Sequence, residues 1–161
     1  MKRLFTLFIA AFAALGLVSC GGLEDPFLDN TFVYIANGSG ASSDVVSNAA
    51  GSSTLFVTLS TTKTSFDAAV EVPYEVILGN GLKAGLDFMI EDSSRSPLRF
   101  TNGNFVVKLK ITWLFNPSFD SSKDNTLTIQ LHEGNLANMK VGDPKLPSGS
   151  NKSKFVFTKQ D

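Results

Sequence analysis

The chain has 161 residues, a formal net charge of −1 and a hydrophobic fraction of 43%. This length suits one domain with a substantial core, and the charge balance argues against nucleic-acid binding, which needs a clustered basic surface. The only cysteine, Cys20, excludes a disulfide within the chain, so packing must hold the fold together.

An apolar leader precedes Cys20. Two basic residues are followed by an uncharged apolar run at positions 4–18, which is shorter than the roughly 20 residues of a permanent membrane-spanning helix. The sequence Leu17-Val18-Ser19-Cys20 resembles a bacterial lipobox, in which cleavage before the cysteine frees its amine and its thiol carries a diacylglycerol. We therefore predict a lipoprotein signal peptide at 1–19 and lipidation at Cys20, in preference to an uncleaved anchor helix.

Cleavage leaves 142 residues (161 less 19) and removes two of the 14 basic residues but no acid, so the remaining formal charge is −3. Residues 20–30 are predicted to be the lipidated cysteine and a tether. Acyl chains on Cys20, at about 0.8 kcal/mol per buried methylene, provide a membrane anchor. Glu24 and Asp25 resemble export signals of surface lipoproteins, which predicts an outer-membrane location and slightly favours surface exposure over a periplasm-facing position.

Residues 31–161 are predicted to form one β-domain. Thr31–Ala36 is a first strand that is apolar on both faces, and 37–53 is expected to be a long flexible loop because Gly, Ser, Ala and Asn dominate it. From there period-two alternation identifies strands at 53–60, 70–76, 105–113, 127–131 and 154–158, with a short strand at 98–100.

Two turn signals refine this pattern. Pro73 cannot donate a hydrogen bond to a neighbouring strand, so the strand at 70–76 is predicted to lie at a sheet edge or to carry a bulge. Asn102-Gly103 predicts a type I′ hairpin between the strands at 98–100 and 105–113. About seven strands without a convincing amphipathic helix predict an all-β fold, an antiparallel immunoglobulin-like sandwich.

The order of these parts resembles a Calx-beta domain, the immunoglobulin-like module of sodium–calcium exchangers and many bacterial surface proteins. The resemblance rests on the alternating strand at 66–76, Gly85-Leu86-Asp87-Phe88, the segment 98–103, the long strand after it and the closing Leu127–Leu131. It covers roughly Ser53 to Leu131.

The resemblance implies calcium sites built from carboxylates at one end of the sandwich. Family members often carry paired acids after the long strand, where this chain has Thr112-Trp113-Leu114-Phe115, so that only Asp87, Asp120 and Asp124 can be carried over. Calcium takes six to eight oxygen ligands, and three aspartates give a weak site at best. We expect no cofactor, with calcium at these residues as the alternative to ordinary turn-forming aspartates.

Candidate catalytic residues are few. His132 is the only histidine, and the chain has no Gly-x-Ser-x-Gly nucleophile elbow and no second histidine for a zinc site. We therefore predict that the protein is not an enzyme. Among the aromatic residues, Trp113 and Phe115 are predicted to face the core by parity, whereas Phe119 departs from that pattern and is a candidate ligand-binding residue.

Together these features predict a non-enzymatic, lipid-anchored cell-envelope protein whose sandwich acts as a binding or structural display module on the outer membrane. Its expected partners are the membrane, through Cys20, and an unidentified protein or polysaccharide; no nucleic-acid partner is expected. Two alternatives remain at this point: a carbohydrate-binding lipoprotein of a glycan-uptake system and a calcium-dependent adhesion module.

Overall fold

The computed structural model describes residues 31–148 and 150–161. The predicted signal peptide, lipobox, Cys20 and tether lie outside these residues. The strands are β1 Phe32–Ala36, β2 Ser43–Ser47, β3 Gly51–Ser60, β4 Val70–Val72, β5 Tyr74–Leu78, β6 Phe88–Ile90, β7 Leu98–Phe100, β8 Val106–Trp113, β9 Thr126–Leu131, β10 Lys140–Val141 and β11 Lys154–Gln160, with one 3₁₀ turn at Asp92–Ser94. Within this part of the chain, no helix is long and apolar enough to cross a membrane.

The strands form a sandwich, which confirms the predicted fold class. Sheet A has the order β10-β1-β3-β8-β6, sheet B has the order β2-β11-β9-β5, and β4 pairs with β7 in a small third sheet. Most neighbours are antiparallel, but β1–β10 and β2–β11 are parallel pairs. The described residues hold eleven strands, more than the seven or so predicted, because short polar segments pair at the margins of both large sheets.

The core lies between the two large sheets and follows the predicted alternation. Inward side chains of β3, β8, β9 and β11 are buried: Leu55, Val57, Leu59, Leu109, Ile111, Trp113, Leu127, Ile129, Leu131, Phe155 and Phe157. Trp113 packs edge-on against Phe157, with ring centroids 5.2 Å apart and planes inclined by 70°. Each such large apolar side chain contributes about 1.5–3 kcal/mol when fully buried, so this layer supplies the main stabilisation.

The prediction of a long flexible loop at 37–53 is wrong. Asn37 begins a hydrogen-bonded turn, Ser43–Ser47 forms β2, and β3 already begins at Gly51. β2 runs parallel to β11, from Ser43 opposite Val156 to Ser47 opposite Gln160. Its side chains are mostly exposed, and Val46 is its one half-buried residue packed against the core. Backbone pairing therefore defines the strand, and the sequence carries no apolar period there.

Pro73 divides the predicted strand at 70–76 into two strands. β4 pairs with β7, and β5 pairs with β9 at the edge of sheet B. The chain therefore moves from one sheet to another at the residue that has no N–H to donate. The edge position predicted from Pro73 is confirmed, while the single continuous strand is not.

The predicted type I′ hairpin is also wrong. Asn104 N–H donates to the Thr101 carbonyl at 2.9 Å, but Gly103 (φ +77°) is the only residue of the turn with a positive φ. That pattern fits a type II turn, whereas type I′ needs a positive φ at both central residues. β8 pairs with β3 on one side, and on the other side it pairs with β6 at Ile111–Trp113. Nearer the turn, the Ser94 hydroxyl accepts from the Lys110 N–H and donates to the Lys108 carbonyl, while β7 pairs with β4.

The two ends of the sandwich differ. β3 runs from Gly51, opposite Trp113, to Ser60, opposite Phe32, and its ten residues span roughly 30 Å. The described chain begins at Thr31, at the Ser60 end. The opposite end, which we call the loop end, is formed by the segments 79–87 and 114–125, and these are joined by hydrogen bonds from Gly81 N–H to the Asp124 carbonyl (2.8 Å) and from Leu114 N–H to the Asp87 carbonyl (3.0 Å).

Candidate functional site

A buried ion pair lies at the loop end. Asp87 immediately precedes β6 of sheet A, and Lys159 lies near the end of β11 of sheet B. The Lys159 Nζ is 3.2 Å from Asp87 Oδ1, and both side chains are at most 1% exposed. Lys159 is buried because it continues the inward parity of Phe155 and Phe157 along β11. The pair therefore joins the two sheets across the sandwich.

Hydrogen bonds satisfy both charges of this pair. Asp87 Oδ1 also accepts from Asn116 Nδ2 at 2.9 Å, and Oδ2 accepts from the Lys83 N–H at 2.9 Å. The Lys159 ammonium donates to the Leu114 carbonyl at 2.8 Å and to the Asp87 carbonyl at 3.4 Å. Its three donors thus meet three oxygens. We call the set Asp87, Lys159, Asn116 and the Leu114 carbonyl the loop-end clamp.

The clamp keeps Asp87 ionised. Burial by itself raises the pKa of this carboxyl, but the hydrogen bonds from Asn116 and from the Lys83 N–H, together with the Lys159 charge, outweigh it and hold the pKa below its ordinary value. Since both charges are paired and shielded from water, the pair holds the loops together and is not positioned to exchange a proton with a ligand.

The other two predicted aspartates lie on the loop surface. Asp120 accepts from the Ser122 hydroxyl at 2.6 Å, and Asp124 accepts from the Thr126 hydroxyl at 2.7 Å. The Ser122 hydroxyl and N–H, helped by the Lys123 charge, lower the pKa of Asp120. These are the turn-stabilising contacts expected of aspartates in loops.

The three aspartates do not fit a calcium site. Both carboxylate oxygens of Asp87 accept from protein donors, and the Lys159 ammonium occupies the position beside them that a cation would need. Within residues 31–148 and 150–161, no group of three His, Cys, Asp or Glu side chains is close enough to hold a metal ion. Calcium also takes at least six oxygens, which this arrangement does not offer.

The aromatic residues near this end occupy three different environments. Trp113 is buried as predicted and donates its indole N–H to Ser53 Oγ at 2.9 Å. The prediction that Phe115 faces the core is wrong: its side chain is 62% exposed, because β8 ends at Trp113 and the period of two ends with it. Phe119 is half-buried against the core, with its ring centroid 5.5 Å from the Lys159 Nζ, so it shields the clamp from water.

Asn116 and Lys159 do not stand out in the sequence as members of this site. Asn116 is 5% exposed; its Oδ1 accepts from the Ser118 N–H (2.9 Å), and its backbone exchanges two hydrogen bonds of 3.0 Å with the Asn48 side chain. An asparagine that stands between the end of a strand and a proline signals a turn, but nothing in the sequence indicates that the asparagine is buried. Lys159 fell one residue beyond the predicted last strand, although it shares the parity of that strand's two phenylalanines.

No protein-family model and no curated protein matches the chain. Solved structures do match: the apo form of the Calx CBD1 domain (TM-score 0.55, 18% identity, 83% of this chain and 100% of that chain) and CBD12 from CALX1.2 (0.55, 17%, 80% and 44%). EndoBT-3987 from Bacteroides thetaiotaomicron, with its Man5GlcNAc product, has a TM-score of 0.51 and 12% identity over 80% of this chain and 31% of that chain. At these identities the likeness concerns the fold, and it confirms a Calx-beta-like β-sandwich.

Proposed function

We propose that this chain is a non-enzymatic, lipid-anchored protein of the outer membrane whose Calx-beta-like sandwich is a binding and display module. The proposal is supported mainly by the polarity of the domain, meaning that Thr31 and the clamped loops lie at opposite ends of the sandwich. The described chain begins at Thr31, beside Thr61, where the two hydroxyl oxygens are 2.9 Å apart. The clamped loops lie at the other end of β3, roughly 30 Å away.

This polarity suits display from a membrane. A lipid on Cys20 and a tether at 20–30 fix the Thr31 end, so that the loop end faces away from the bilayer. The loop-end clamp holds the segments 79–87 and 114–125 in one arrangement, which reduces the ordering entropy lost when a partner binds. At this end Phe115 is 62% exposed and Leu86 is 46% exposed, and both offer apolar contact area to a partner.

The ionisable groups described at the loop end support a binding role over catalysis. Asp87 and Lys159 are enclosed, while Asp120 and Asp124 stabilise turns. At the other end of β9, away from the loop end, His132 lies 3.5 Å from the exposed Glu75 carboxylate. Each of these candidate acids and bases therefore makes a structural contact, and a catalytic role is not needed to explain its position.

The test is protease treatment of intact cells that carry an epitope after Asp161. Asp161 follows β11 at the loop end and is exposed, so a protease outside the cell should remove the tag from a displayed domain while a periplasmic marker survives. A protected tag would overturn surface display.

A matched Cys20→Ala variant tests the anchor. We expect the parent to remain with the membrane fraction and Cys20→Ala to appear in the soluble fraction. A parent that is already soluble, or a Cys20→Ala variant that still carries covalent acyl groups, would overturn lipid anchoring at Cys20.

A further inference from the structure

The outer face of sheet A carries aromatic side chains next to lysines. In the register of this sheet, Tyr34, Thr58 and Val106 lie side by side on β1, β3 and β8, and the next row holds Phe56 opposite Lys108. The residues between them, such as Ile35 and Val57, are buried in the core, so this row points outward. We call the surface of Tyr34, Phe56, Thr58 and Val106 the aromatic face.

A depression with a volume of about 430 Å³ lies over the aromatic face. The turn 37–41 forms its wall and is held by its own hydrogen bonds: Asn37 Oδ1 accepts from the Ser39 N–H (3.1 Å), the Ser39 hydroxyl (2.7 Å) and the Ala41 N–H (2.9 Å). The shape of the depression is therefore formed before any ligand arrives, which lowers the entropy lost on binding.

Lys152 forms the other side of the depression in a strained conformation. Its φ is +58°, a left-handed value that non-glycine residues rarely adopt. The Lys152 carbonyl accepts from the Ile35 N–H at 2.9 Å, and its Nζ lies 5.7 Å from the centroid of the Tyr34 ring. The backbone strain thus places a cation beside an aromatic ring, and outliers of this kind cluster at ligand sites.

Two further lysines lie near the depression. Lys108 lies opposite Phe56, and Lys140 lies opposite Phe32, whose ring is 6.0 Å from that of Tyr34. In the described part of the chain, Lys108, Lys140 and Lys152 form no ion pair, whereas Glu91 at the β6 margin is paired with Lys110 at 3.6 Å. The face therefore complements an anionic ligand.

We infer that the aromatic face binds an acidic polysaccharide, a carbohydrate chain that carries carboxylate groups. Tyr34 and Phe56 offer ring faces to the C–H faces of sugar rings, and the Thr58 hydroxyl and the Asn37 amide group donate to sugar hydroxyls. The Lys152 and Lys108 ammonium groups pair with the carboxylates. This inference rests on the proposed binding function and adds to the loop end a second surface, the aromatic face, with its own ligand class.

The experiment uses the full chain with Cys20→Ala, purified without acyl groups, and polygalacturonate as the probe. Calorimetry should detect binding that weakens with added salt, because the lysine contacts are exposed to ions. Dextran, a neutral polysaccharide, should bind at least about tenfold more weakly, since it offers nothing to the lysines.

Two variants test the site. Tyr34→Ala removes the ring, and Lys152→Gly removes the ammonium while fitting the positive φ, so that its melting temperature should not fall. Each should weaken binding about tenfold or more. Ile77→Ala, which shortens a 47% exposed apolar side chain on β5 of sheet B, is the control and should leave the affinity unchanged.

Three results would overturn the inference: no binding to polygalacturonate, equal affinity in Lys152→Gly and the parent, or binding to phosphatidylserine vesicles without binding to polygalacturonate. The last result would assign the face to a membrane surface. The cell-surface tests do not depend on this ligand. If display holds and polygalacturonate fails, only the ligand assignment is wrong; if polygalacturonate binds but display fails, only the location is wrong.

Discussion

Replacing Lys159 with methionine tests the role of the loop-end clamp most directly. Methionine keeps the length and apolar stem of the side chain but removes the ammonium. The Leu114 carbonyl then loses its 2.8 Å donor, and Asp87 keeps only the hydrogen bonds from Asn116 and the Lys83 N–H. Asp87→Asn makes the opposite change, because it leaves the ammonium without its counter-charge.

Removing one partner of a buried ion pair costs roughly 3–5 kcal/mol, because the other charge stays buried without it. We expect Lys159→Met to fall near the lower value, about 3 kcal/mol, since Asp87 keeps two donors, and Asp87→Asn to fall near the upper value. At about 2.1 cal/mol/K per residue, a domain of about 130 residues has an unfolding entropy of about 0.27 kcal/mol/K, so 3 kcal/mol lowers Tm by about 11 °C.

The assay is urea unfolding of the parent, both single variants and the double variant, followed by near-ultraviolet circular dichroism of Trp113. The double variant should lose less than the two single variants added together, with a coupling free energy of about 2 kcal/mol or more. The exposed pair Asp92–Arg95, 2.7 Å apart with side chains 86% and 76% exposed, is the matched control, and its coupling should stay below about 1 kcal/mol.

Additivity would refute this reasoning. The pair does not join the two sheets as described if the losses of unfolding free energy in the two single variants sum to that of the double variant within about 0.5 kcal/mol. The same conclusion follows if Lys159→Met loses no more unfolding free energy than the exposed Arg95→Met.

Three further predictions concern the same end of the sandwich. Because the folded pKa of Asp87 is depressed, its contribution to stability is complete above the unfolded pKa and is lost as the pH falls through the folded one. As the pH falls from about 5 to about 2, the free energy of unfolding should therefore decrease less in Asp87→Asn than in the parent. An equal decrease in both proteins would contradict a depressed pKa of Asp87. A Cβ at Gly79 would overlap the Asp124 carbonyl oxygen, whereas one at Gly51 meets nothing within 4 Å, so urea titration should find Gly79→Ala destabilised by about 1–3 kcal/mol and Gly51→Ala nearly unaffected. Millimolar calcium should leave the Tm of the parent unchanged; a rise that Asp87→Ala abolishes would revive the calcium hypothesis.

The core of this fold could be predicted because one buried face imposes a period of two. The alternating apolar residues of β3 and β9 are buried as predicted: Leu55, Val57 and Leu59 on β3, and Leu127, Ile129 and Leu131 on β9. β2 and β10 could not be predicted in the same way. Each has one half-buried valine packed against the core, Val46 or Val141, while its other side chains are exposed. Backbone pairing with β11 and β1 fixes their positions, and a single apolar residue gives no period to read.

The clamp lay beyond sequence reasoning for a different reason. Asp87 stood out as an acid in the Gly-x-Asp-aromatic pattern, but its partner lies 72 residues further along the chain. A lysine near the end of a strand ordinarily marks the exit to solvent, because lysines are seldom fully buried. Lys159 faces inward because β11 continues to Gln160, with Lys159 opposite Val46 of β2 and on the same face as Phe155 and Phe157.

The position of β11 has a consequence for the order of folding. The last strand of the sequence is an internal strand of its sheet, lying between β2 and β9. Until residues 154–160 arrive, β2 has no described neighbour in that sheet, one edge of β9 is bare, and the places of Phe155 and Phe157 in the core are empty. The domain must therefore complete its folding late, through contacts of high sequence separation, and such chains fold slowly. A chain truncated before Lys154 should expose apolar surface and aggregate, and should not form a smaller stable domain.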